Sequence, residues 1–244
     1  MPPPDPRARL DNPPAPPHNA TTQGKRAPRM IPLYDAVVFD LDGTLIDTES
    51  LCNDAGIDAC ADLGFDVSLA FFQSLAGIHD AERVRLISAH LGRPLQMAPF
   101  YAAWDDHVRR RMATGVPIKP GAVDLLSTLH GRGLPLALAT SSRAGPAAEK
   151  LAAAGLDRWF SAVVTVDDVV AAKPAPDAYL LAAARLGANP ARAVAFEDSD
   201  TGARAAHAAG LTVVQVPDIH PTAGLHAHHV APSLLDGARA VGLI

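Results

Sequence analysis

The 244 residues are 48% apolar and carry a formal net charge of −5. That much apolar material is enough for a sizeable core, and the length suits one large domain or a core with an insertion. The mild negative charge argues against a nucleic-acid partner, which calls for a basic stripe. The lack of any apolar run of about 18 residues argues against a membrane span.

Residues 1–30 are rich in Pro, Asn, Thr and Arg and poor in large apolar side chains. They cannot bury enough surface to order themselves, so a disordered tail is expected. Pro13 to Pro16 fits the P-x-x-P pattern of partner ligands, a pattern that biased segments also produce by chance. A start at Met30, with the preceding residues outside the true chain, is a further reading. The tail has no apolar stretch of the signal-peptide kind. Cys52 and Cys60 lie eight residues apart in a helix-patterned stretch, which sets them about 12 Å apart, too far for a disulfide. Reduced thiols without an export signal point to the cytoplasm.

From Tyr34 the pattern alternates. AVVF (36–39), LPLALAT (134–140), AVVTV (162–166), AVAF (193–196) and TVVQV (212–216) are short continuous apolar runs. Runs of this kind read as strands covered on both faces. Helical patterns follow at 121–133, 145–155, 176–187 and 200–210, with Pro near the starts and Gly at the ends. Strands alternating with such helices imply βαβ units and a parallel sheet. Residues 49–115 break the rhythm with amphipathic stretches and no strand signal. They are read as a helical cap inserted after the first strand of an α/β core made of 31–48 and 116–244. Open α/β folds bind ligands outside the carboxyl ends of their strands, where such an insertion would act as a lid.

The polar residues that need explaining gather at predicted strand ends. Asp40 and Asp42 follow the first strand. Thr140, Ser141 and Ser142 end the second, Lys173 lies beyond the third, and Glu197, Asp198, Ser199 and Asp200 follow the fourth. If the first, second and fourth strands are neighbours, these groups share one crevice. Crowded carboxylates repel one another unless a cation sits among them. A hard divalent cation with oxygen ligands, Mg²⁺ in particular, meets that need. With Lys173, a Thr140 hydroxyl and backbone N–H groups, the composition is that of a phosphoryl site. Each feature alone has a plainer reading as a turn, a helix cap or a solvated loop.

Together the stretches DLDGTLIDTE (40–49), LATSSR (138–143), KPAPDAYLLAA (173–183) and FEDSDTGARAA (196–206) resemble the four motifs of the haloacid dehalogenase superfamily. The branch is the one with a helical cap after the first strand, and the β-phosphoglucomutase-like phosphatases are the most similar group. The resemblance spans about 34 to 220 and implies a Rossmann-like core. By that resemblance, Asp40 is the nucleophile that forms an aspartyl-phosphate and Asp42 the general acid and base. Asp40, the Asp42 carbonyl, Asp198 and Glu197 hold Mg²⁺, and Thr140, Ser141, Ser142 and Lys173 hold the phosphoryl group. Gly77 and His79, in the cap loop AGIHD, are placed at the substrate's far end, with His79 and Asp80 replacing the family's small polar and basic residues. Mutases of this branch carry a cap His where this chain has Cys52, and a cap Lys has no counterpart near Ala103. Asp42, usually missing from dehalogenating enzymes, is present.

The expected function is therefore a Mg²⁺-dependent phosphatase acting on a small phosphorylated metabolite, a sugar phosphate above all, as a monomer or else a homodimer. A sugar phosphomutase is the enzymatic alternative and a non-catalytic binding protein the alternative of another class. Arg109, Arg110 and Arg111 read as a solvated helix face. His220, His226, His228 and His229 lack acidic or thiol partners at ligand spacing and read as no metal site. Trp104 and Trp159 read as packing residues.

Overall fold

The first strand, β1 (Ala36–Phe39), is buried along its whole length. In this computed structural model, which describes residues 33–75, 78, 80–219 and 222–244, every other major strand pairs around it. The expectations placed on residues 1–30, Gly77, His79 and His220 fall outside the described residues.

The chain continues through four helices, α1 (Thr48–Asp62), α2 (Leu69–Gln73), α3 (Asp80–Leu91) and α4 (Met97–Thr114). It then alternates: α5 (Ala122–Gly131), β2 (Leu136–Ala139), α6 (Ala144–Ala154), β3 (Ala162–Val164), α7 (Asp177–Arg185), β4 (Ala193–Glu197), α8 (Asp200–Ala208) and β5 (Thr212–Gln215). A two-residue strand β6 (His229–Val230) and a last helix α9 (Leu234–Ala240) close the described chain. The sheet order is β3-β2-β1-β4-β5-β6, and all its pairs are parallel. The expected α/β fold class is therefore observed, with the first, second and fourth strands as neighbours.

Alternation along the strands sorts the two faces by size. Val37, Phe39, Leu136, Leu138, Val194 and Phe196 point to one side and pack with Leu125, Leu129, Leu151 and Leu234 of α5, α6 and α9. Phe39 stacks on Phe196 at 5.0 Å between ring centroids. Ala36, Val38, Ala137, Ala139, Ala193 and Ala195 point to the other side, against Ala178, Ala182, Ala203 and Ala206 of α7 and α8. Alanine on both partners lets these two helices approach the sheet closely. The four insertion helices bury a separate apolar cluster that includes Phe65, Phe72, Leu75, Ile87 and Phe100. Cys60 belongs to that cluster, and neither Cys60 nor Cys52 is in a disulfide.

Register places the site. Phe39 is level with Phe196 on one side and Leu138 on the other. The Asp40 N–H donates to the Phe196 carbonyl at 2.9 Å, and the Thr140 N–H to the Val164 carbonyl at 2.9 Å. Asp40, Thr140 and Glu197 thus come together at one edge of the sheet.

Candidate active site

Asp40 is the first residue beyond β1 and is only 7% exposed. Lys173, from the loop between β3 and α7, reaches it across the end of β2. Its Nζ lies 2.6 Å from Asp40 Oδ1, 2.6 Å from Glu197 Oε1 and 2.8 Å from the Ala139 carbonyl. Tyr179 adds its O–H to Glu197 Oε1 at 2.7 Å, and Ser199 Oγ donates to Glu197 Oε2 at 3.0 Å. A lone buried ammonium would lose its proton. Burial does push Lys173 down, but the Asp40 and Glu197 carboxylates more than offset this and hold it charged, above its ordinary value. Burial raises Asp40 well above the usual carboxylate range, with Lys173 pulling the other way.

Asp198 follows Glu197 and is pushed up to about 7, by burial first and by the Glu197 charge second. Thr44 Oγ1 donates to its Oδ1 at 3.2 Å. Gly43 beside it has φ 85°, and a Cβ there would overlap the Asp198 carboxylate, so the turn must be glycine for this carboxylate to sit where it does. Carboxylate oxygens of Asp40, Glu197 and Asp198 all lie within 4.8 Å of one another, the one such grouping of His, Cys, Asp or Glu among the described residues. A buried set of carboxylate oxygens crowded this closely suits a hard divalent cation. These residues fit Mg²⁺.

Asp42 points away from that cluster. Its Oδ1 accepts from Thr48 Oγ1 at 2.8 Å and from Lys150 Nζ at 2.7 Å, and its Oδ2 from Ser142 Oγ at 2.9 Å. Lys150 Nζ also donates to Ser142 Oγ at 3.0 Å. The Ser142 N–H donates to Thr140 Oγ1 at 3.0 Å, which leaves the Thr140 hydroxyl proton free to point into the crevice. Sequence reasoning missed Lys150. A signal was present: it flanks the buried Ala147 and Leu151 stripe of α6, and long side chains lean toward the helix N-terminus, which in a βαβ unit faces the strand ends.

Asp40, Asp42, Thr140, Ser141, Ser142, Lys173 and Asp198 line one crevice of about 300 Å³. A second cavity of about 320 Å³ adjoins it, sharing Asp42 and Asp198, with Glu49, Cys52 and Asn53 of α1 and Arg83 and Trp104 of α3 and α4 in its walls. Trp104, expected only to pack, therefore also faces this cavity, whereas Trp159 packs on the main core. Ser199, not the serines after β2, is a helix cap: its Oγ accepts from the Gly202 N–H at 3.0 Å at the start of α8. Arg109 and Arg110 pair with Asp106, and Arg111 with Asp58, as a solvated face does. His228 uses Nδ1 to accept from the Val213 N–H at 2.9 Å, so it ties down a strand.

A family model described as haloacid dehalogenase-like hydrolase matches residues 34–210. The chain is 34% identical over 186 residues to the fructose-1-phosphate phosphatase YqaB of Escherichia coli (strain K12), covering 75% of this chain and 96% of the relative. It is 30% identical over 177 residues to a phosphorylated carbohydrates phosphatase of Thermotoga maritima, covering 72% and 82%. A crystal structure of a HAD family hydrolase from Deinococcus radiodurans R1, with bound phosphate and sodium, superposes with a TM-score of 0.73 at 29% identity, covering 86% and 97%. No described helix is long and apolar enough to cross a membrane. The motifs, the strand-end cluster and these matches agree: the chain belongs to the haloacid dehalogenase-like hydrolase family.

Proposed function

We propose that the protein is a Mg²⁺-dependent phosphomonoesterase that hydrolyses a small phosphorylated sugar through an aspartyl-phosphate on Asp40. One observation carries the reading: a desolvated Asp40 carboxylate, paired with the buried Lys173 ammonium, at the floor of a crevice walled by hydroxyls. The relatives described as fructose-1-phosphate and phosphorylated carbohydrates phosphatases support the substrate class.

In this reading, Asp40, Glu197, Asp198 and the Asp42 carbonyl hold Mg²⁺, which supplies positive charge where carboxylates and phosphoryl oxygens crowd. Lys173 and the Thr140 hydroxyl hold non-bridging oxygens, with the Ser141 N–H beside them. An Asp40 oxygen attacks phosphorus and the bond to the leaving oxygen breaks. Asp42 gives its proton to that oxygen, then takes one from the water that attacks phosphorus and frees Asp40. Ser142 and Lys150 keep the Asp42 side chain at the rim of the crevice, where it meets the leaving group. The helical insertion, residues 49–115, acts as a cap that excludes bulk water.

Cys52 supports hydrolysis over sugar mutation. It stands where the resembled mutases carry a His, and burial pushes its thiol above its ordinary value, so it offers no base for a sugar hydroxyl. The test is phosphate release from a panel of sugar phosphates with Mg²⁺, with chelator, and with Asp40→Asn. Release that needs both the metal and Asp40 is expected. Release that survives Asp40→Asn contradicts the reading.

A further inference from the structure

The cavity beside the phosphoryl crevice holds a polar group with nothing to bond. Asn53 is 6% exposed, and its Nδ2 has no hydrogen-bond partner. A buried amide in that state is costly, yet α1 places it in a cavity wall and not in the apolar cluster of the insertion. The cation in the same wall, Arg83, is already engaged. Its Nη1 lies 3.1 Å from Asp80 Oδ1 and 3.1 Å from the Tyr101 hydroxyl, which itself donates to Asp80 at 2.9 Å. Its guanidinium also lies over the Trp104 ring at 5.0 Å. The Trp104 N–H is taken by the Cys52 carbonyl at 2.9 Å. The remaining charges in the wall are acidic: Asp42, Glu49 and Asp198.

We infer that this cavity receives an uncharged polyhydroxylated leaving group, that the Asn53 carboxamide reads one of its hydroxyls, and that the Arg83–Asp80 pair selects against a second phosphate. The inference rests on the proposed phosphatase reading and narrows it to sugar monophosphates. A second phosphate would have to compete with Asp80 for Arg83. A hydroxyl satisfies the Asn53 amide and can donate to a carboxylate. Asn53 is thus a specificity residue on the leaving-group side, apart from the groups that touch phosphorus.

The experiment measures kcat/KM for a hexose 1-phosphate, the matching 1,6-bisphosphate and acetyl phosphate, whose small leaving group does not reach Asn53. Wild type is expected to favour the monophosphate over the bisphosphate by about ten-fold or more. Asn53→Leu is expected to lower the ratio of monophosphate to acetyl phosphate by a similar factor, because a substrate hydroxyl left unpaired in a buried site penalises only the substrate that carries it. If Asn53→Leu fails to fold, Asn53→Ser is used and read by the same ratio. Asp80→Asn frees Arg83 and is expected to raise bisphosphate turnover relative to monophosphate. A wild-type preference for the bisphosphate, an equal loss on all substrates in Asn53→Leu, or no relative gain in Asp80→Asn overturns the inference while leaving the phosphatase reading intact. Turnover that is absent for all three compounds, or that is unaffected by Asp40→Asn, removes the phosphatase reading and the inference with it.

Discussion

Gly202 sits in the first turn of α8, where alanine is ordinarily the better residue. Its replacement by alanine should gain about 1 kcal/mol from helix propensity alone. Here a Cβ would overlap the Glu197 carboxylate. The far end of a free glutamate could swing aside, but Glu197 is 1% exposed and tied by Lys173, Tyr179 and Ser199. Hydrogen bonds to a charged group contribute about 1.5–3 kcal/mol each. Losing two of them therefore costs about 3–6 kcal/mol by the same measure, and the clash outweighs the propensity gain. The net loss of about 2–5 kcal/mol corresponds to a fall in Tm of roughly 4–20 °C for a domain of this size. Gly145→Ala in α6 is the control, because a Cβ there meets nothing within 4 Å, and it should be neutral or stabilising by up to about 1 kcal/mol. Thermal unfolding of both variants decides the matter. A Gly202→Ala protein as stable as wild type would refute the picture of a fixed Glu197.

Lys150→Ala should lower kcat about ten-fold or more by freeing Asp42, since small misplacement of a catalytic group is expensive. Lys150→Arg should recover part of it, and steady-state kinetics showing a change in KM alone would contradict the positioning role. Mg²⁺ should raise Tm in a concentration-dependent way, by about 2.7 kcal/mol of stability at a hundred-fold excess over its dissociation constant. Asp198→Asn should weaken that response, as differential scanning fluorimetry can show. Asp168 is held down to about 2 by the Arg185 hydrogen bond first and by Thr165 next. A lowered carboxylate stabilises the fold above its unfolded value, near 4, and loses that contribution as pH falls toward 2. The Tm gap between wild type and Asp168→Asn should therefore be open at pH 7 and close between about pH 4 and pH 2.

The β1, β2, β4 and β5 strands were legible because each is a continuous apolar run, and a strand buried on both faces leaves that mark. β6 and α9 were not. β6 is two exposed residues, His229 and Val230, with no run to see. α9 is short and contains Gly237, which the sequence marks as a breaker but which the fold needs because a Cβ there would strike Val214. α2, five residues long, is likewise too short for a periodicity. In the site, residues at strand ends were readable from order alone: Asp40, Thr140, Glu197 and Asp198 meet because the register brings those ends level, and Lys173 joins them from the loop before α7. Lys150 and Tyr179 act from the bodies of helices, and their reach depends on side-chain length and direction, which a linear pattern does not display. Asn53 reads in sequence as one more polar residue on an amphipathic helix, and only the packing of α1 reveals it as buried without a partner.

The central claim is that Asp40 becomes phosphorylated during turnover. The direct measurement is to quench the Mg²⁺-loaded protein while it turns over a sugar phosphate, reduce it with borohydride, and sequence the peptides by mass spectrometry. An acyl phosphate on aspartate is converted to homoserine by that treatment. Homoserine at position 40, and not at position 42, is the predicted result. Sustained turnover with aspartate intact at position 40, or homoserine at another position, would contradict the account.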